Sequence, residues 1–318
     1  MMTDFPRIGA IVLNWNGWQD TVACVQSLRK ATYPALEVVI VDNGSTDGSP
    51  AHVQTAWPDV HLVALSQNVG VAAGNNVGLE TAMAMGATKV LFLNSDAELE
   101  SDALAVLAGE LDRGSPQVWA AAPKILYRRD PTRIWSAGGQ FNWWRGLSRD
   151  RGTGELDMGQ YDAPADIDYA NTCCLLVRSE ALQRVGRMDE AYFMYFDDSD
   201  FSARLRRLGG RMRYVPTARV LHDVQRSSQD GSARPSLFAL YYTTRNRPRF
   251  IRRNGPTAVH RLGALLFTFG SRLVRAAQAG LAGEFAEARL VLGALCDGYL
   301  RHQTGPTVRG IPTRSGGI

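Results

Sequence analysis

Apolar and polar positions alternate in blocks along the first hundred residues. Residues 9–13 (GAIVL), 37–41 (EVVIV), 60–65 (VHLVAL) and 89–93 (KVLFL) are short apolar, largely β-branched runs that predict buried strands. Between them, 21–31 carries Val22, Val25 and Leu28 at helical spacing. Residues 49–57, the Ala- and Met-rich 71–85 and the Leu/Ala segment 101–111 read as further helices. Strands with no polar face, alternating with helices, predict an α/β fold whose mostly parallel central sheet is covered on both sides. From 128 to 166 the pattern breaks into Gly, Arg, Asp and Trp, which predicts short strands and loops. A strand returns at 169–177, a short helix at 199–208, and two short strands at 212–215 and 219–221. Residues 227–235 read as a linker. Beyond them the spacing is helical: 237–253, broken near Pro248, then 259–281 and 285–300. The expected organisation is a catalytic unit over 1–235, a C-terminal helical region over 236–303 and a disordered tail over 304–318.

Each of the first four strands runs into polar residues. They are Asn14-Trp15-Asn16-Gly17, Asp42-Asn43-Gly44-Ser45, Ser66-Gln67-Asn68 and Asn94-Ser95-Asp96. One such cluster is ordinary turn chemistry. Four at the same edge of a parallel sheet would line a single crevice, where open α/β sheets bind ligands. No G-x-G-x-x-G follows the first strand and no G-x-x-x-x-G-K-[ST] occurs anywhere, which removes the main support for dinucleotide oxidoreductases and P-loop kinases. Amides and carboxylates suit a nucleoside instead. A carboxylate accepts from a pyrimidine imide, amides reach ribose hydroxyls, and Trp15 is placed to stack on a base. Asp96 is suited to a hard divalent cation carrying a diphosphate. A second acidic group, Asp197-Asp198-Ser199-Asp200, precedes a helix. Three acids in four residues exceed what a helix cap needs, and their mutual repulsion is worth its cost where a cation or a proton acceptor is required. His222 follows a short strand and would add an imidazole to oxygen ligands, a set suited to Mn²⁺ or Mg²⁺.

Composition narrows the classes. The chain has 318 residues, 45% hydrophobic and 21% charged, with a net charge of +4. This is ordinary globular composition. Four cysteines without a C-x-x-C pair predict small buried thiols in a reduced compartment. The longest uncharged apolar stretch, 262–270, is far below the roughly 18 residues needed to span a bilayer. No cleavage pattern follows Arg7, so we read no signal peptide and expect a cytoplasmic enzyme, or one peripheral at the inner membrane face. Charge is uneven. From Arg245 onward there are twelve Arg, no Lys and three acids, a net +9, which leaves −5 on the rest. That asymmetry points to an anionic partner. Nucleic acid fits poorly, because acids at the strand ends would repel its phosphates. The segment 259–300 interleaves Leu262, Leu265, Leu266, Phe269 and Leu273 with Arg261, Arg272 and Arg275. It would pack on the catalytic unit, form a homo-oligomer, or touch an anionic membrane.

Six ordered segments together resemble glycosyltransferase family 2, and most of all bacterial rhamnosyltransferase-type members. They are LNWNG (13–17), VDNGSTDGS (41–49), NVGVAAGNNVG (68–78), LNSD (93–96), MDEAYFMYFDDSDFSARLRRLG (188–209) and VPTARVLH (215–222). The resemblance implies a GT-A fold and inverting transfer of a sugar from a UDP- or dTDP-sugar to a hydroxyl of a glycan or lipid-linked acceptor. It implies nucleotide-sugar contacts from Asn14, Trp15, Asn16, Asp42, Asn68, Gly70, Asn75, Asn94, Ser95 and Asp96. Asp42 would take the uracil or thymine imide. Asp96 and His222 would hold Mn²⁺ or Mg²⁺, and Asp198 would be the general base. Asp197, Asp200 and Arg245 would lie near the acceptor or the diphosphate. Three positions depart from the family pattern: Asn94 begins the metal motif in place of Asp, Asp197 replaces the commoner Glu, and Thr172 stands where Gly is frequent. A sugar nucleotidyltransferase or a non-catalytic sugar-nucleotide-binding protein are the alternative readings.

Overall fold

The computed structural model describes residues 5–224 and 236–301. In chain order the elements are β1 (Ile8–Asn14), α1 (Trp18–Arg29), β2 (Leu36–Asp42), α2 (Ser49–Ala56), β3 (His61–Ala64), α3 (Val71–Ala84), β4 (Lys89–Asn94), β5 (Ala97–Leu99), α4 (Ala103–Arg113), β6 (Val118–Tyr127), β7 (Asp130–Ser136), β8 (Gly139–Asn142), β9 (Leu147–Asp150), β10 (Ala165–Ile167), β11 (Cys174–Arg178), α5 (Ser179–Val185), α6 (Asp197–Arg207), β12 (Arg211–His222), α7 (Leu237–Asn254), α8 (Ala258–Leu281) and α9 (Phe285–Cys296). The main sheet runs β10-β12-β6-β11-β4-β1-β2-β3, with β5 on β12 and β7 on β6. The pairs β3–β2, β2–β1, β1–β4 and β6–β12 are parallel, while β11 runs against both of its neighbours. A separate two-stranded hairpin is formed by β8 and β9.

The uninterrupted apolar strands behave as their composition requires. Along β1, Ile8, Ala10 and Val12 pack into one core with Val25 and Leu28 of α1 and Leu104 and Leu107 of α4. Ile11 faces the other core, with Leu79 and Ala82 of α3 and Phe201 and Leu205 of α6. Side chains alternate across the sheet and both faces are covered. Helix α3 lies close on β1 because glycines face the strand. A Cβ on Gly74 would sit 2.5 Å from Leu13, and one on Gly78 would sit 2.3 Å from Ile11.

Register makes the strand ends flush. Asn14 pairs with Asp42, and Leu13 pairs with Asn94. The antiparallel β11 brings its incoming end to the same edge, where the Asn94 N–H donates to the Cys173 carbonyl at 2.9 Å.

Three expectations from the pattern are corrected. The strand expected at 169–177 begins only at Cys174; Tyr169, Asn171, Thr172 and Cys173 before it line the cleft. The two short strands at 212–215 and 219–221 are one strand, β12, with its register shifted between Val215 and Arg219 around Pro216, which cannot donate to the ladder. Helix α7 continues through Pro248, so proline costs it one backbone bond without ending it. Strand β6, rich in alanine and carrying Pro123, has no counterpart in the sequence reading. The expected linker 227–235 and tail 304–318 lie outside the described residues. No helix among the described residues is long and apolar enough to cross a membrane.

Tight packing of α3 on β1 yields a direct test. Gly78→Ala should destabilise the protein by about 1–3 kcal/mol in urea unfolding. By contrast Gly270→Ala, with open space around its Cβ position on α8, should gain about 0.5–1 kcal/mol.

Candidate active site

At the flush edge lies a cleft of about 510 Å³. One wall comes from the loop after β1, with Trp15, Asn16 and Gly17, and from Asn94-Ser95-Asp96 after β4. Asp197 and Asp198 at the start of α6, Tyr169, Asn171 and Asp150 line the cleft as well. His222, at the end of β12, also lines the cleft. Of the residues singled out from sequence, Trp15, Asn16, Asn94, Ser95, Asp96, Asp197, Asp198 and His222 therefore share one cavity.

Others sit behind it. Asp42 is buried, and its carboxylate accepts from Asn14 Nδ2 at 2.6 Å, Ser45 Oγ at 2.6 Å and Ser45 N–H at 2.9 Å. It ties the first two strand ends together and does not line the cleft. The next residue, Asn43, does. Its Nδ2 donates to Asn68 Oδ1 at 3.1 Å and to the Gly70 carbonyl at 3.2 Å, so Asn68 and Gly70 support Asn43 from behind. Gly70 is required there: its φ is +93°, and a Cβ would strike Phe193 at 2.5 Å. Asn75 is buried on α3. Asp200 is fully buried and binds Arg204 at 2.7 Å and Asn254 Nδ2 at 2.7 Å, a structural arrangement away from the cavity.

Arg245 is likewise removed from the cleft. It is 1% exposed, and its guanidinium donates to the carbonyls of Ala191 at 3.2 Å and Tyr192 at 2.9 Å. Asn246 beside it donates to the carbonyls of Tyr192, Met194 and Tyr195 at 2.9, 2.8 and 2.9 Å. The segment they grip is strained, since Phe193, Tyr195 and Phe196 all have positive φ, at 63°, 63° and 70°. Helix α7 thus holds the loop that delivers the acids of α6.

Those acids stand at a helix N-terminus, where the dipole favours negative charge. Asp198 accepts from the Tyr169 hydroxyl at 2.7 Å and from the Ser199 N–H at 2.6 Å. Burial pushes its carboxyl above the ordinary Asp value, while these donors pull it back. Burial pushes Asp197 up to about 8, with the adjacent Asp198 charge adding to the effect. The Tyr169 hydroxyl and the Ser199 N–H that converge on Asp198 favour negative charge there. Asp150 is pushed up to about 6, chiefly by burial, although its Oδ1 accepts from Ser136 Oγ at 2.6 Å and Asn171 Nδ2 at 3.0 Å.

Also in the cleft, Asp96 Oδ1 and His222 Nε2 lie 3.1 Å apart. The imidazole is 5% exposed, its ring meets Trp135 edge-on at 4.4 Å, and its buried Nδ1 has no partner. No group of three or more His, Cys, Asp or Glu side chains suited to a metal occurs among the described residues. One carboxylate and one imidazole fit a hard cation whose other positions go to ligand oxygens.

Residues 10–184 match the model of Glycosyl transferase family 2. The chain belongs to that family. It is a glycosyltransferase, and curated rhamnosyltransferases are among its relatives. The N-acetylglucosaminyl-diphospho-decaprenol L-rhamnosyltransferase of Mycobacterium tuberculosis is 29% identical over 221 residues, covering 62% of this chain and 69% of the relative. The dTDP-rhamnosyl transferase RfbF of Shigella flexneri is 23% identical over 221 residues, covering 68% and 71%. Among solved structures, mannosyltransferase PcManGT from Pyrobaculum calidifontis, in complex with GDP-Man and Mn²⁺, has a TM-score of 0.56 at 17% identity and covers 93% of this chain and 88% of that one. GalNAc-T7 with UDP, GalNAc and Mn²⁺ has a TM-score of 0.54 at 16% identity, covering 68% of this glycosyltransferase and 43% of that chain. These structures share the GT-A fold with it.

The sequence reading missed Asp150, Tyr169, Asn171 and Asn43 of the cleft. Asn43 was visible within the strand-end cluster. The other three lie in the irregular middle and gain their positions from the β8–β9 hairpin and from β11.

The clamp on the loop before α6 can be tested. Asn246→Ala removes the side-chain donor to the Met194 and Tyr195 carbonyls, leaving that of Tyr192 to Arg245, and should lower stability by about 1–3 kcal/mol. It should also reduce the turnover rate while nucleotide affinity, measured by calorimetry, changes little.

Proposed function

We propose that this glycosyltransferase moves a sugar, rhamnose by its similarity to the relatives above, from a UDP- or dTDP-sugar to a hydroxyl of a glycan or lipid-linked acceptor. The anomeric configuration inverts. The observation that carries this reading is the convergence of Asp198, held by Tyr169, and the Asp96–His222 pair in one cleft at the strand ends. The catalytic unit is placed in residues 1–235, with 236–303 as its helical support.

In this reading the nucleotide lies along the β1, β2 and β4 ends, with Trp15 against the base. Asn43 takes the position at the cleft expected of Asp42. Asp198 accepts the proton of the attacking hydroxyl. Its raised pKa makes it a better base than a free aspartate, whose value is about 3.9. The protonated Asp197 spares it a second negative charge. Tyr169 fixes the carboxylate toward the acceptor. Asp96 and His222 would hold Mn²⁺ or Mg²⁺, which when bound neutralises charge developing on the leaving diphosphate. The two similar structures above contain Mn²⁺, which supports a divalent cation as the group held.

Asp198→Asn should lower transfer by roughly 10²–10⁴-fold with nucleotide binding retained. Asp197→Asn, which replaces a group already neutral at pH 7, should lose far less. Because the Asp198 pKa is raised, activity must fall as pH drops through that raised value. The acid limb of the rate profile should therefore lie above the range of a free aspartate. Transfer by Asp198→Asn at the parental rate removes the base assignment. For the cation, Asp96→Ala should abolish the gain in UDP or dTDP affinity produced by Mn²⁺. An identical Mn²⁺ response in parent and variant rules out that ligand.

A further inference from the structure

Helix α8 inverts the usual amphipathic arrangement. Its inward positions are small, with Ala264, Thr268, Ala276 and Ala279 buried. Its large apolar side chains face outward: Val259, Leu262, Leu266, Phe269, Leu273 and Val274 are all exposed, Leu262 at 61% and Leu266 at 64%. The outer stripe continues through Leu281 and onto α9 at Phe285 and Leu292. Most of the exposed large apolar side chains among the described residues fall in these two helices. A contiguous surface of this kind marks a binding face.

Charge selects the occupant. Helix α8 carries Arg261, Arg272 and Arg275 and no acid. Arg261 and, on α9, Arg289 are exposed beside the stripe. The acids of this region have partners, Glu284 between Leu281 and Phe285 included: Glu287 is bound by Arg275 at 2.8 Å and Asp297 by Arg301 at 3.1 Å. A second copy docked through the same face would set these cations against their own kind. An anionic lipid surface takes both the leucines and the arginines.

We propose that the outer face of α8 and α9 seats on an anionic phospholipid bilayer. The β8–β9 hairpin connects that face to the cleft. Trp144 at its turn packs on His260 with ring centroids 4.5 Å apart, while Asp150 at its open end lines the cavity. Strands of four residues span roughly 13 Å, so the cleft lies one hairpin from the lipid-facing helix. An acceptor carried by a lipid would then be presented at short range. That consequence rests on the function proposed above, whereas the docking itself does not.

The test is sedimentation of the full chain with vesicles at low salt. The protein should partition onto phosphatidylcholine vesicles containing about one third phosphatidylglycerol, bind pure phosphatidylcholine far less, and release as salt rises. The double variant Leu266→Glu with Leu273→Glu should bind on the order of a hundredfold more weakly. Arg261→Gln and Arg289→Gln should each cost roughly fivefold. Thermal unfolding and donor hydrolysis in the double variant should match the parent, which separates loss of docking from misfolding and from failure of the transferase reading. Absence of vesicle binding by the parent overturns the proposal, as does binding that the double variant leaves unchanged. A parental dimer dissolved by the double variant, with vesicles ignored, overturns it in favour of a second copy.

Discussion

Keeping Asp198 charged where water is scarce requires donors, and the structure supplies them from separate parts of the chain. The Tyr169 hydroxyl comes from the approach to β11, the Ser199 N–H from the first turn of α6. The helix dipole adds a diffuse positive end. Burial pushes the carboxyl of Asp197, one residue earlier and deeper, up to about 8, with the adjacent Asp198 charge adding to the effect. A lysine or arginine at this point would have stabilised the carboxylate too well, lowering its affinity for a proton. Hydroxyl and amide donors leave it basic.

The strained segment before α6 is the structural cost of this placement. Three non-glycine residues at positive φ are each unfavourable by about 1–3 kcal/mol. Asn246 and Arg245 offset that cost through five backbone contacts, and the rings of Phe193 and Phe196 pack against Tyr242 and Phe250. The C-terminal helices therefore hold one part of the cleft in place without lining it.

Much of this was legible in the residues. Apolar runs of period-free strands and polar residues at their ends located the sheet and one wall of the cleft. The ordered motifs located Asp96, Asp198 and His222. What stayed hidden depends on packing. Whether Asp42 or Asn43 faces the cavity turns on side-chain alternation past the strand end, and on a turn in which Ser45 and Asn14 consume the carboxylate. The resemblance puts Arg245 near the acceptor or the diphosphate, yet burial under the loop gives it carbonyl partners. Strand β6 is obscured by alanines and Pro123, which carry little strand signal alone. Tyr169, Asp150 and Asn171 lie in a stretch whose local pattern encodes no element, and only β11 and the hairpin fix where they stand.

The reversed strand β11 has an evolutionary corollary. Because it runs against β4 and β6, the chain enters the cavity edge there after leaving it at β1, β2 and β4. The strand ends that carry Trp15, Asn43 and Asp96 all precede β11, whereas α6 and β12, bearing Asp198 and His222, follow it. A lineage can thus reshape the cleft residues that follow β11 while the strand ends that precede it stay as they are.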